Sequence, residues 1–324
     1  MKVMRVCRAA AIVVCAALAS AAQAQSYPNK TVRWVVPFPP GGGTDTISRV
    51  LAQKLTEAWG QQVIADNRPG SGGTIGLALA AKMPADGYTI VLGQLANVGI
   101  APALYPKLPY DPVKDFQPVT LAVTSPLILV VHPSVPAKNT KELIALARAK
   151  PGSLTYGSSG NGTTGHLGME IMNHMAKIKM VHIPYKGAQP AFTGLLGGET
   201  AVYLSSVPPA VPMINAGRVR AIGVTSAKRM SSLPNVPTIA ETGLPGYEVT
   251  NWYGVMMPAG VPKDILAKVH GDLVRILKQP DTQQRLTGEG GDVAPNTPDQ
   301  FATFIRNEIA KWGKAVKESG AKVD

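Results

Sequence analysis

Along this chain, short runs of β-like apolar residues alternate with longer segments of helical period. Val32 to Phe38 is a largely apolar run that stops at two prolines and three glycines. From Thr44-Asp45 onward, Ile47, Val50, Leu51, Leu55 and Ala58 recur at helical spacing, which predicts an amphipathic helix over residues 44–59, closed by Gly60. The unit then repeats with a short strand at Val63–Ala65, a glycine loop from Arg68 to Gly76 and a helix. A third strand at Tyr88–Leu92 leads into a polar loop containing Gln94 and Asn97. Such alternation predicts a mainly parallel sheet whose loops share one edge.

Residues 102–118 are proline-rich, and a strongly apolar run, Leu127–Val131, follows them. A second series then predicts a helix at 140–149, a strand at Leu154–Tyr156, the loop GSSGNGTTGH, and a helix carrying Leu167, Ile171, Met172 and Met175. Further strands are expected at Met180–Pro184, Ala201–Leu204 and Ala221–Val224, with helices after Gly187 and Pro209. Residues 228–262 are rich in proline and glycine and include Asn251-Trp252-Tyr253-Gly254, a candidate return crossing. Helical patterns close the chain at 263–278, 281–288 and 298–318. The expected architecture is α/β with two domains, each a mainly parallel sheet flanked by helices. Residues 25–125 plus 248–324 form the first domain and residues 126–247 the second, with a ligand cleft between them.

The N-terminal segment changes the setting. Lys2, Arg5 and Arg8 precede an apolar run from Ala9 to Ala19, and Ala22-Gln23-Ala24 offers small residues where a signal peptidase reads. This is the pattern of a secretory signal over residues 1–24, so the mature chain is expected to be exported. Both cysteines, Cys7 and Cys15, fall in that segment, so the mature chain has no disulfide and no cysteine metal site. No acid lies among the first 24 residues, so losing three positive side chains takes the net charge from +12 to +9. An exported basic protein of this kind draws in small anions. Nucleic acid is excluded as a partner because no dense Lys/Arg run or aromatic-interleaved basic patch is present.

The two glycine loops carry the candidate chemistry. Each follows a strand and opens a helix, so unpaired backbone N–H groups at the positive end of a helix dipole face the cleft. Gly160, Gly162 and Gly165 fit a dinucleotide fingerprint, but the next strand ends in Tyr185-Lys186 where that fingerprint needs an acid, so no cofactor is expected. Ser158, Ser159 and His166 raise a serine hydrolase as an alternative. Against it, Asn161 stands where the nucleophile elbow requires glycine. His166, His174 and His182 recur every eight residues, a spacing that chelates no metal on a helix. Asp45 has two readings: a helix N-terminus residue that shapes its loop, or a group that helps select the ligand.

The segments PFPPGGGTDTISR, NRPGSGGTIG, LTYGSSGNGTTGHLGME, PYKGAQPA, PTIAETGLPGYE and WYGVMMPAGVP together resemble the Bug family, the extracytoplasmic solute-binding proteins of tripartite tricarboxylate transporters. The match runs from about residue 27 to the C-terminus. The resemblance implies a non-enzymatic periplasmic binding protein that closes on a small organic carboxylate and delivers it to a membrane permease, a task that a monomer suits; a sensor that hands its closed form to a signalling receptor is a further alternative. It implies ligand contacts from Phe38, Gly42, Gly43, Thr44 and Asp45 in the first loop. From the second loop it implies Ser158, Ser159, Gly162, Thr163, Thr164 and His166, and from the PYKG segment Tyr185 and Lys186. Many members carry an acid in the strand where this chain has Ser205, a departure that favours a more anionic or more aromatic ligand.

Overall fold

The computed structural model describes residues 27–230, 233–288 and 290–319; the expected signal segment lies outside them. The first lobe is built on a six-stranded sheet. Its strands are β1 (Val32–Val36), β2 (Val63–Asn67), β3 (Thr89–Gln94), β4 (Phe116–Pro126), β10 (Thr250–Pro258) and β11 (Asp292–Val293), in the order β11-β4-β10-β3-β1-β2. The second lobe's sheet contains β5 (Ile128–Val131), β6 (Thr155–Ser158), β7 (Val181–Pro184), β8 (Val202–Ser205) and β9 (Arg220–Val224), in the order β7-β6-β8-β5-β9. Helices α1 (Gly43–Trp59) and α2 (Thr74–Ala81) follow the first two strands. In the second lobe come α3 (Thr140–Ala149), α4 (Thr164–Ala176), α5 (Ala188–Leu196) and α6 (Val207–Asn215). Helices α7 (Lys263–Leu277), α8 (Pro280–Gly288) and α9 (Pro298–Ser319) close the chain. Among the described residues no helix is long and apolar enough to cross a membrane.

The two-lobed α/β architecture is the expected one, but both sheets are mixed rather than mainly parallel. β2 and β3 flank β1 in parallel, whereas β10 runs antiparallel to both β3 and β4. In the second sheet β6 is parallel to β7 and β8, while β5 is antiparallel to β8 and β9. Two of the antiparallel strands, β5 and β10, are those at which the chain enters one lobe from the other. β4 leads out of the first sheet and one residue later β5 begins the second; β10 returns, threaded between β4 and β3. A strand that crosses between sheets has no crossover helix to reverse its direction, so it enters antiparallel.

Pro118, the last proline of the irregular-looking stretch 102–118, is accommodated near the edge of the sheet. Beyond β10, β4 is covered only by the two-residue β11 at Val123 and Thr124, so Pro118 interrupts no continuous ladder on that side. Strands buried on both faces read as near-continuous apolar runs. Trp34 and Val36 pack with Ile47 and Leu51 of α1, while Val35 packs on the opposite face with Leu77 of α2. The cluster containing Val35 continues through Leu121, Leu127, Trp252 and Met256 to Leu129, Tyr156 and Leu204, so the lobes share apolar packing where the chain crosses. α9 extends that junction by packing on β4 and on α4. The Trp252 and Trp312 indoles both donate to Glu308 of α9, at 3.0 and 3.1 Å.

Candidate functional site

A cleft open to solvent lies between the lobes at the carboxyl ends of β1, β3, β6 and β8. Four helices begin on its walls. Gly42, Gly43 and Thr44 open α1, Thr163, Thr164 and Gly165 open α4, Gly187 and Ala188 open α5, and Ser206 opens α6. None of the four N-cap residues, Gly42, Thr163, Gly187 and Ser206, caps its helix with a side chain. Two lack a side chain altogether. Thr163 turns its hydroxyl back to the Gly160 carbonyl at 2.8 Å, and the Ser206 hydroxyl makes no capping bond. Asn139 and Thr238, which do not line the cleft, cap their own first turns instead. First-turn N–H groups have no partner inside their helix, so the positive ends of four helices converge on one space; α1 and α4 offer a full set of donors, while Pro190 in α5 and Pro208 and Pro209 in α6 remove some of theirs.

The remaining lining is neutral. Phe38, Leu127, Tyr203, Leu204 and Tyr253 supply apolar and aromatic surface. A string of side chains crosses the floor between lobes: Asn251 Nδ2 donates to Gln94 Oε1 at 2.9 Å, and Thr164 Oγ1 donates to Asn251 Oδ1 at 3.3 Å. The rims also touch. Gln189 Nε2 of α5 donates to the Gly41 carbonyl at 3.3 Å, and the backbone at Gly162 faces Tyr105 and Leu104 of the first lobe. The lobes therefore stand close together on both sides of the cleft.

Of the residues singled out in the sequence, Phe38, Gly42, Gly43, Thr44, Ser159, Thr163 and Thr164 line the cleft. The others surround it. Asp45 is buried beneath the first loop, where it accepts from the Gly41 N–H at 3.1 Å, from Arg49 Nε at 2.9 Å and from Asn67 Nδ2 at 2.9 Å. Burial pushes its carboxyl up, but the bonds from Arg49, Asn67 and Gly41 outweigh this and hold it below the usual carboxylate range. Of its two readings, the geometry favours the one in which Asp45 shapes the loop. Asn67 also donates to the Phe38 carbonyl at 3.0 Å, fixing the same turn from the next strand.

Ser158, Gly162 and His166 brace the second loop from behind. Gly162 N–H donates to His166 Nδ1 at 3.2 Å, and Ser158 Oγ lies 2.6 Å from His182 Nε2. The rings of Tyr156, His182 and His166 form a stack, with centroids 4.9 and 4.1 Å apart. The serine that reaches a histidine is fully buried, while the serine that lines the cleft is its neighbour, Ser159. Ser205 is buried, donating to the Ser206 carbonyl at 2.8 Å. Tyr185 donates to Glu199 at 2.9 Å, and Lys186 is exposed beside Gly187; neither lines the cleft.

The histidine stack gives the fold a pH signature. Burial pushes the His166 ring down to about 3, with His182 adding to the effect, and burial pushes His182 down to about 4. Unfolded, each ring takes up a proton below about 6.5. The unfolded chain therefore binds more protons between about pH 6.5 and 4, and stability falls as pH drops through that window. The slope is at most about 1.4 kcal/mol per pH unit for each ring. The melting midpoint is expected to decline between pH 7 and 5. His166→Asn, whose amide oxygen can replace Nδ1 as acceptor, is expected to flatten the decline. A flat wild-type profile contradicts the assignment.

Several cleft residues escaped the sequence reading. Ser206 had a usable signal, because Ser206-Val-Pro-Pro is an N-cap followed by prolines in the first turn. Gln94 and Asn251, 157 residues apart, meet only because β3 and β10 pair.

The family model for the tripartite tricarboxylate transporter family receptor matches residues 47–321. A Pseudomonas sp. strain P51 protein from the tcbD–tcbE intergenic region is 40% identical over 294 residues, 90% of this chain and 87% of its own. BugT of Bordetella pertussis is 35% identical over 309 residues, 95% of each chain. Among solved structures, a protein of R. palustris with adipate superposes with a TM-score of 0.87 at 36% identity, covering 92% of this chain and all of its own. MatC of Rhodopseudomonas palustris with bound malate gives 0.84 at 33%, covering 90% of this chain and all of its own.

Proposed function

The chain belongs to the tripartite tricarboxylate transporter receptor family, and from that premise we propose that it captures a small organic carboxylate in the periplasm and hands it to the membrane permease of such a transporter. The convergence of four uncapped helix N-termini on one cleft carries this reading. A carboxylate accepts charge-assisted bonds from such N–H groups, and each bond strengthens as closure excludes water. Two relatives of similar fold are solved with dicarboxylates, adipate and malate. The lobes, residues 25–125 with 248–324 and residues 126–247, close by rotation about the crossings near Leu127 and Val249. One chain contains the whole cleft, which suits a monomer.

Among the described residues the lining carries no charged side chain and no histidine, which fits binding better than turnover. A thermal-shift screen of carboxylates tests the proposal. A ligand at about 100 times its Kd adds about 2.7 kcal/mol. For a chain of this size that raises the midpoint by roughly 4 °C. If no carboxylate raises it, or the best ligand is converted to product, the proposal fails.

A further inference from the structure

Four positive helix ends face the cleft, and among the described residues its lining, drawn from both lobes, includes no Asp, Glu, Lys, Arg or His. The carboxylate beneath the first loop, Asp45, is buried and engaged by Arg49, Asn67 and Gly41. The two amide oxygens on the floor are engaged as well, Gln94 Oε1 by Asn251 and Asn251 Oδ1 by Thr164. Between the helix ends lies apolar surface from Phe38, Leu127, Tyr203 and Leu204.

An ammonium group carried into this space loses its hydration, meets no counter-charge and sits against the positive ends of helix dipoles. A hydroxyl on the same carbon carries no charge and can accept from the neutral donors around it. We infer that this receptor rejects ligands with an amino group beside the carboxylate, so that its ligand class is the carboxylic acids without an ammonium, plain or hydroxylated. The inference rests on the carboxylate reading above. It extends that reading by making discrimination a property of the whole lining, through a repulsive element as well as attractive ones. Ser205 does not line the cleft, so it is not by itself the selecting residue.

Isothermal titration of the full mature chain at pH 7.5 with matched pairs tests it: succinate and aspartate, glutarate and glutamate, adipate and 2-aminoadipate. Each pair shares its carboxylates and differs by one ammonium. The expected result is that at least one parent acid binds and its amino analogue binds at least about 100-fold more weakly. An amino analogue that binds as tightly as its parent overturns the inference while leaving the carboxylate reading in place. If none of the six binds, and no other carboxylate stabilises the fold, both fall together.

A second variant reads the same point in the opposite direction. Ser206→Asp keeps a good N-cap residue at α6, so the helix is retained, and it places a carboxylate on the cleft wall. It is expected to weaken the parent acids and to narrow the gap to their amino analogues by about tenfold or more. An unchanged ratio in a folded Ser206→Asp protein contradicts the inference.

Discussion

Asp45→Ala is expected to remove carboxylate binding while leaving a folded but weaker protein. Asp45 carries no ligand contact in this account; it holds the turn that aims the first-turn N–H groups of α1. Truncation leaves the Gly41 N–H, the Asn67 amide and the Arg49 guanidinium without their acceptor. Arg49 is half exposed, so water takes over part of its demand, and the loss of stability is about 2 kcal/mol. The effect on binding is larger. Each N–H bond to a charged acceptor is worth about 1.5–3 kcal/mol, so misaligning two of them lowers affinity by about 100-fold or more. Asp45→Asn, which keeps one acceptor oxygen, is expected to fall between the two.

The same carboxyl has a pH consequence. Its folded pKa is depressed, so the stability it contributes is full above the unfolded value near 4 and is lost as pH falls through the lower folded value. That window lies below the one set by the histidine stack, and comparing Asp45→Asn with His166→Asn by thermal melts at pH 3–7 separates them. Unchanged affinity in Asp45→Ala contradicts the loop-shaping role.

Gly162→Ala is expected to produce the second large loss, by a different route. Gly162 has φ +75°, a conformation that costs a residue with a Cβ about 1–2 kcal/mol. A Cβ placed there lies 2.8 Å from Tyr105 Oη and 3.2 Å from a Leu104 methyl, both in the opposite lobe. The backbone strain acts within the second lobe, while the contact acts across the cleft and disfavours the closed state. Affinity falls in proportion to the lost population of that state, about 10–100-fold. Adding Tyr105→Ala is expected to recover much of the affinity but little of the lost stability. Failure of that recovery in a folded double variant shows that the effect is local to the loop. Gly42→Ala is the contrast, since its Cβ meets only Ala188 at 3.9 Å, an ordinary contact.

Local pattern exposed a good part of this molecule. The glycine turns after β1 and β6, the helix from residue 44 and the apolar run at 127–131 are each set by residues close in sequence, and each forms as expected. What pattern could not reach depends on pairing at a distance. β10 brings Asn251 between Gln94 and Thr164, yet its segment reads as a proline- and glycine-rich crossing because its partners, β3 and β4, lie more than 120 residues away. Ser158 and His182 meet because parallel β6 and β7 set Tyr156 beside His182, a register that no spacing of histidines reveals. Asp45 is local to its loop, but its partner Asn67 lies on the neighbouring strand, and that bond favours shaping over selecting.

The central claim is that a carboxylate is held by helix N-termini from both lobes. A crystal structure of the mature chain with the tightest-binding carboxylate from the screen tests it most directly. The account predicts carboxylate oxygens about 2.7–3.1 Å from the N–H groups of Gly43 or Thr44 and from those of Thr164 or Gly165, with the lobes closed around them. A carboxylate seated on Lys186, or anywhere away from both helix ends, contradicts it.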